Sequence, residues 1–314
     1  MAATLPRGDH SGMTSQTITA AASGTWKLGD MEINRIGFGA MRLTQTGEAL
    51  TAGATPRDRG QAVSVLRRAV ELGVNHIDTA AFYFSPLRSA NELINRALAP
   101  YPDDLVIATK VGPGRDPSGE WLPHATPERL RGQVEENLRQ LGRDHLDVVN
   151  LRIVGTGSIA ERFGALAELR DAGLIRHLGI SNVTPGHLAE AQSIAPVACV
   201  QNMYGIGVRP DQDEFVRACG EQGIAFVPFY AIAGAGRTAG TTGADDEEVL
   251  AVARAHGMSA AQVRLAWTLH RGPHVLAIPG TGDPDHLAAN VAAGALRLSE
   301  DDLALLDSLH RRPR

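Results

Sequence analysis

The chain has 314 residues, 43% of them hydrophobic, and a formal net charge of −5 with both signs dispersed. That length allows one large domain or two ordinary ones with a sizeable core, and the charge balance leaves no basic footprint for nucleic acid. No apolar run approaches the ~20 residues needed to span a bilayer, and Cys199 and Cys219 stand in apolar or helical contexts without metal-ligand spacing, as expected of buried thiols in a reducing, cytoplasmic setting.

Residues 1–24 are rich in Ala, Ser, Thr and Gly, show no helical or strand periodicity, and lack the charged and apolar regions of a signal peptide. They are predicted to be a flexible leader, with a single folded domain over 25–314. Residues 25–28 and 30–33 alternate around Gly29-Asp30 as a hairpin. Residues 36–41 read as a strand in which Gly37 and Gly39 permit close backbone approach. After a polar segment, 44–57, residues 59–72 place Val63, Leu66, Ala69 and Val70 on one face and stop at Gly73, the pattern of an amphipathic helix.

From there strands and helices alternate. Strands are predicted at 74–78, 105–110, 146–151, 175–180, 198–201, 225–229 and 275–279. Helices are predicted at 89–98, 126–141, 159–172, 185–194, 211–222, 260–270 and 284–293, with a last helix at 299–309. Eight strands after the hairpin, each followed by a helix, predict an α/β chain folded as a (β/α)8 TIM barrel with an N-terminal hairpin and an extra C-terminal helix. No GxGxxG opens the first unit, which weakens an open dinucleotide-binding sheet. The longest loops, 111–125 and 230–247, are predicted over the strand C-terminal ends, where barrel chemistry is sited.

Two strand ends carry that chemistry: Asp78-Thr79-Ala80-Ala81-Phe82-Tyr83 and Thr109-Lys110. An Asp and a Lys leaving neighbouring parallel strands can pair, and a Tyr in the first loop can reach the ammonium. The cation favours the phenolate and lowers the phenol pKa from about 10, so that Tyr83 becomes a usable proton donor near neutral pH. Taken singly, each residue also fits a core ion pair with a packing Tyr. The combined order at strand ends favours catalysis by Asp78, Tyr83 and Lys110.

This order resembles the active-site signature of the aldo-keto reductases, and the resemblance runs over residues 25–310. It implies a nicotinamide cofactor, NADPH/NADP, held in part by Gly39 and Ala40 at the end of the first barrel strand. It also implies that Ser181, Asn182 and Gln201 hold the carboxamide and that Phe229 stacks on the ring. Gly280, Thr281, His286 and Asn290 correspond to the family's adenosine-phosphate segment, where the helix start at Pro284 offers free N–H groups. Gly234, in a glycine-rich loop, is placed to wrap the pyrophosphate. Helix caps, a core Phe and an ordinary flexible loop are the plain alternatives. The family's Lys or Arg for the 2′-phosphate is replaced nearby by Gly282 and Asp283, and Asp283 is expected to repel a dianion. Arg264 or Arg237 would have to help from elsewhere, and NADH is the alternative cofactor.

Arg152 stands where most members have a His. An Arg does not shuttle protons at neutral pH, but its donors can polarise a carbonyl oxygen or hold a phenolate or acidic substrate group; a salt bridge to a loop carboxylate is the alternative. Residues 147–152, 73–79, 179–185 and 227–229 are similar to the bacterial pyridoxal reductase (pyridoxine 4-dehydrogenase) group of the family, and the similarity falters at 84–88, 203–209 and 230–243. The implied function is reversible hydride transfer between NADP(H) and a small carbonyl compound, either pyridoxal or a specialised-metabolite aldehyde or ketone. A non-catalytic NADP-binding regulatory barrel and a Schiff-base lyase or isomerase are the rivals. No metal, nucleic-acid or membrane partner is expected, and the chain is expected to be a monomer or weak homo-oligomer.

Overall fold

The computed structural model describes residues 17–47, 50–51, 54–232 and 246–312. A short 3-10 turn, Ala20–Ser23, precedes the hairpin β1 (Thr25–Leu28) and β2 (Met31–Asn34). Ala20 is fully buried, its N–H donates to Leu72 O, and Arg297 donates to Ala22 O. The end of the predicted leader is therefore packed against the fold: small residues without periodicity can still fill a gap between helices. Leu28, Met31 and Ile33 share one buried cluster with Val106, Ala108, Val148, Val227 and Leu276. The hairpin plugs the barrel interior with the residues that its period-2 pattern points inward.

The strands that follow are β3 (Phe38–Gly39), the small pair β4 (Gln45–Thr46) and β5 (Thr55–Pro56), β6 (His76–Asp78), and a second small pair β7 (Phe84–Ser85) and β8 (Arg88–Ser89). Then come β9 (Val106–Val111), β10 (Leu146–Arg152), β11 (Ile175–Ser181), β12 (Cys199–Gln201) and β13 (Ala225–Phe226). One parallel sheet runs in the order β13-β12-β11-β10-β9-β6-β3. Every residue of β9 is buried, which is why it shows no alternation: Val106-Ile107-Ala108 are apolar in a row, and Thr109 and Lys110 are buried with them.

The predicted eighth strand appears as a seam and not as a regular ladder. Val275 bridges Phe226 and Ala277 bridges Ile36, both parallel. Leu276 N donates to Phe226 O, and Ala277 N to Arg35 O. Residues 275–277 thus share their bonds between two neighbours and close the barrel. The predicted strand 225–229 is likewise shortened to β13, because Pro228 offers no N–H; Phe229 rejoins through a bridge to Met203.

The helices are α1 (Arg59–Glu71), α2 (Ala90–Leu98), α3 (Pro127–Leu141), α4 (Ala160–Asp171), α5 (Pro185–Gln192), α6 (Asp213–Glu221), α7 (Glu247–His256), α8 (Ala260–His270), α9 (Pro284–Ala292) and α10 (Glu300–His310). Local signals set their ends. Asp58 caps α1 by accepting from Gln61 N, and Thr184 with His187 forms a reciprocal cap on α5. Helix α7 is absent from the predicted elements. It buries Val249, Val252 and Ala253, opens with Glu247 and Glu248, and ends at Gly257 with φ 62, a short helix stabilised mainly by packing.

Candidate active site

Lys110 and Asp78 leave adjacent strands, β9 and β6, in a register that pairs Asp78 with Ala108, two residues before Lys110. Lys110 Nζ donates to Asp78 Oδ2 at 2.6 Å and to Thr79 O at 3.1 Å, and both side chains are buried. A second donor fixes the carboxylate: Gln201 Nε2 donates to Asp78 Oδ1 at 2.8 Å. Burial pushes the Lys110 pKa down, Asp78 and Tyr83 push it up, and the net shift is upward. The ammonium is therefore charged across the neutral range.

Tyr83 stands beside this pair, with its ring centre 4.9 Å from Lys110 Nζ. Its backbone is held on both sides, by Tyr83 N donating to Ala80 O and by Ala90 N donating to Tyr83 O. The expected lowering of its pKa is not what the structure shows. Burial raises the phenol pKa above its usual value, and Lys110 opposes that shift without overcoming it. Burial is the main cause, and Asp78, which shares the Lys110 charge, adds to it because its carboxylate disfavours a phenolate.

Arg152 ends β10 next to Ser181, its register partner at the end of β11. It donates to Ser181 Oγ at 3.2 Å and its guanidinium lies 5.0 Å from the Phe229 ring centre. His124 donates to the Arg152 carbonyl at 2.7 Å, fixing the strand end from the 111–125 loop. Among the described residues no carboxylate lies within 4 Å of the guanidinium.

These groups line one cavity of about 470 Å³, within the usual range for small-molecule sites. Asp78, Tyr83, Lys110, Arg152, Gln201, Phe229, Gly39 and Gly280 all reach it. Gly39 and Gly280 face each other across the barrel seam: a Cβ on Gly39 would lie 2.5 Å from Ile278 O, and one on Gly280 would lie 2.6 Å from Gly39 O. Both positions therefore require glycine, and both leave bare backbone at the cavity edge. Gln201 Oε1 is buried and has no hydrogen-bond partner among the described residues. An amide N–H of a nicotinamide carboxamide would satisfy it, so this wall fits the cofactor that the sequence implies.

The other expected cofactor residues stand further off. Ser181 acts behind the wall through Arg152. Asn182 has φ 60, is exposed, and donates its amide to Ile153 O at 3.0 Å. Ala40 is buried under the cavity edge in the 3-10 turn Ala40–Arg42. Thr281, exposed His286 and buried Asn290 continue outward from Gly280, with Thr281 Oγ1 accepting from Asp283 N at 3.0 Å. Gly234 and Arg237 lie outside the described residues. Arg264 is buried and donates to Asp246 at 3.0 Å, so it serves α7 and α8.

Residues unforeseen from sequence complete the cavity: Met41, Arg42, Leu50, Phe82, Trp121, Tyr230 and Ile232. Trp121 sits 51% exposed with its ring 5.7 Å from Phe82. Arg115, nearly buried, ties its loop down by donating to Gly119 O, Phe82 O and Phe84 O at 2.9, 3.3 and 2.9 Å. The expectation that the 111–125 loop covers the strand ends is met by these contacts.

A barrel whose strand ends hold a buried Asp–Lys pair, a Tyr and an orphaned Gln carbonyl invites comparison with known proteins. The sequence pattern of the Aldo/keto reductase family matches residues 35–311. Pyridoxine 4-dehydrogenase of Escherichia coli (strain K12) is 44% identical over 297 residues, covering 92% of this chain and 99% of that protein. A thermostable aldo-keto reductase solved with the inhibitor epalrestat superposes with a TM-score of 0.75 at 30% identity, over 91% of this chain and 99% of that one. An aldo-keto reductase from Klebsiella pneumoniae solved in complex with NADPH gives 0.71 at 27% identity, over 90% and 93%. Extent of match, barrel and site geometry agree, and the chain belongs to the aldo/keto reductase family.

Proposed function

We propose that this aldo-keto reductase reduces the aldehyde of pyridoxal to the alcohol, reversibly, with NADPH. The observation that carries the reading is one cavity wall holding Tyr83 with two cations that act on it, Lys110 neutralised by Asp78 and Arg152 with no carboxylate within 4 Å among the described residues. The 44% identity to pyridoxine 4-dehydrogenase supports the substrate, and the NADPH-bound relative supports the cofactor.

When bound, the nicotinamide cofactor supplies the hydride to the carbonyl carbon. Tyr83 donates its phenolic proton to the carbonyl oxygen as negative charge develops there. Lys110 then faces a phenolate, and its fixed ammonium stabilises that charge without reorganisation. Asp78, held by Gln201, keeps Lys110 in place and charged. Gly39, Gly280, Gln201, Phe229 and Tyr230 are the wall residues that would hold the ring end of the cofactor. Ala40, Ser181 and Asn182 act on it indirectly, by supporting that wall. Thr281, His286 and Asn290 would meet the adenosine end.

Arg152 binds substrate. Its guanidinium is buttressed by Ser181 and Phe229, and its remaining donors suit a second oxygen beside the reacting carbonyl. Pyridoxal carries an acidic ring hydroxyl next to its aldehyde, and the apolar walls formed by Phe82, Trp121 and Met41 suit its ring. The enzyme works in the cytoplasm, in keeping with two free, buried cysteines, and as a monomer or weak homo-oligomer. Among the described residues no helix is long and apolar enough to cross a membrane.

The test is nicotinamide absorbance of purified protein with NADPH or NADH while pyridoxal and a panel of other aldehydes and ketones are added. Pyridoxal-dependent oxidation of NADPH is expected. Turnover of other carbonyls alone would keep the chemistry and discard pyridoxal. Tight cofactor binding without any oxidation would replace the reductase with a regulatory barrel.

A further inference from the structure

Residues 280–290 contain no Lys or Arg, yet the fold brings one to them from 225 positions away in the chain. Arg57 lies between β5 and the N-cap of α1. Its Nε donates to Arg42 O at 3.1 Å and its Nη1 to Gly282 O at 3.4 Å. A Cβ built on Gly282 would lie 2.0 Å from Arg57 Cζ. The guanidinium therefore occupies the space a side chain at 282 would take.

Arg42 lines the cavity and Arg57 stands next to it, away from the reacting end. Among the described residues neither guanidinium has a carboxylate within 4 Å. Asp283, expected from sequence to repel a phosphate, spends its carboxylate on its own helix: it accepts from Asp285 N at 2.8 Å and His286 N at 3.1 Å. Asp283 is near enough to feel the Arg57 charge but makes no direct ion pair with it, and two neighbouring guanidiniums with donors to spare suit a dianionic ligand group.

We propose that Arg57 reads the 2′-phosphate of NADP and so selects NADP over NAD, with Gly282 kept free of a side chain to let it lie there. The inference rests on the nicotinamide-cofactor reading above and assigns a specificity residue that the 280–290 segment does not contain. A 2′-phosphate held by Arg57 receives charge-assisted hydrogen bonds that NAD has no group to accept.

The experiment measures dissociation constants by calorimetry or tryptophan fluorescence for NADPH, NADH, 2′,5′-ADP and 5′-AMP, independent of turnover. Wild type is expected to bind 2′,5′-ADP at least ~10-fold more tightly than 5′-AMP, and Arg57→Ala to weaken NADPH by roughly 10–100-fold, the scale of one charge-assisted contact, with NADH changed by less than about twofold. Arg57→Lys should keep part of the preference. Gly282→Ala, which displaces the guanidinium but keeps its charge, should cause the same selective loss and serves if Arg57→Ala does not fold. Equal weakening of NADPH and NADH in these variants, or no change in either, would overturn the proposal. So would a wild type that does not distinguish 2′,5′-ADP from 5′-AMP. A wild type that binds none of the four would overturn the cofactor reading itself.

Discussion

Lys110 and Arg152 both face the cavity beside Tyr83, and the protein treats these two cations in opposite ways. Lys110 is buried against Asp78, which Gln201 orients in turn, so its charge is committed before any ligand arrives. Among the described residues Arg152 is held by a hydroxyl and an aromatic face, neither of which neutralises it. The difference separates two tasks. A neutralised, immobile ammonium can answer a charge that appears on Tyr83 during the reaction. An uncompensated guanidinium instead attracts a substrate that already carries an acidic oxygen.

The largest effect should come from breaking the committed pair. Lys110→Met leaves Asp78 buried without its cation and is expected to cost about 3–5 kcal/mol of stability, read as a lower denaturation midpoint, together with loss of turnover. Asp78→Asn added to that variant should restore much of the stability and none of the turnover. Tyr83→Phe comes next. It should retain NADPH binding and stability but lose at least ~100-fold in kcat, the usual scale for a positioned acid; near-normal turnover would remove Tyr83 from the mechanism.

Arg152→Met should spare stability and weaken kcat/KM for pyridoxal by roughly 10–100-fold, the scale of a charge-assisted hydrogen bond. The smallest effect is a predicted constancy with pH. Because burial holds the Tyr83 pKa above its ordinary value, the phenol is protonated throughout the neutral range. Carbonyl reduction needs that proton, so its rate should show no Tyr83-dependent loss between about pH 7 and pH 9 and should fall only as pH rises through the elevated pKa. A descending limb near neutrality that disappears in Tyr83→Phe would show that Lys110 dominates after all.

The same contrast explains what sequence reveals. Asp78, Tyr83 and Lys110 are legible because they sit at the ends of adjacent strands, where a few residues fix both position and neighbour. The barrel is legible because each strand-helix unit repeats one apolar pattern. The direction of the Tyr83 shift is not legible: it depends on how deeply the hydroxyl is buried, a property of the whole cavity. Arg57, Arg42 and Trp121 escape for a related reason. They reach the site from connections between β3 and α1 and between β9 and α3, whose paths are set by distant backbone partners such as Gly282 O and Phe82 O. Helix α7 escapes because it follows directly on a long glycine-rich connection and buries only Val249, Val252 and Ala253, and the strand at 275–277 is legible while its split between two neighbours is not, since that is set by the closure of the barrel.

The most direct test of the division between the two cations compares pyridoxal with 4-pyridinecarboxaldehyde, which has the ring and the aldehyde but no ring hydroxyl. The ratio of kcat/KM values for the two substrates would be measured in wild type, Tyr83→Phe and Arg152→Met. Tyr83→Phe should slow both substrates alike and leave the ratio unchanged. Arg152→Met should lower the ratio by about tenfold or more, since only pyridoxal offers Arg152 an acidic oxygen. An unchanged ratio in Arg152→Met, with both substrates slowed together, would contradict the account and make Arg152 a polariser of the carbonyl instead.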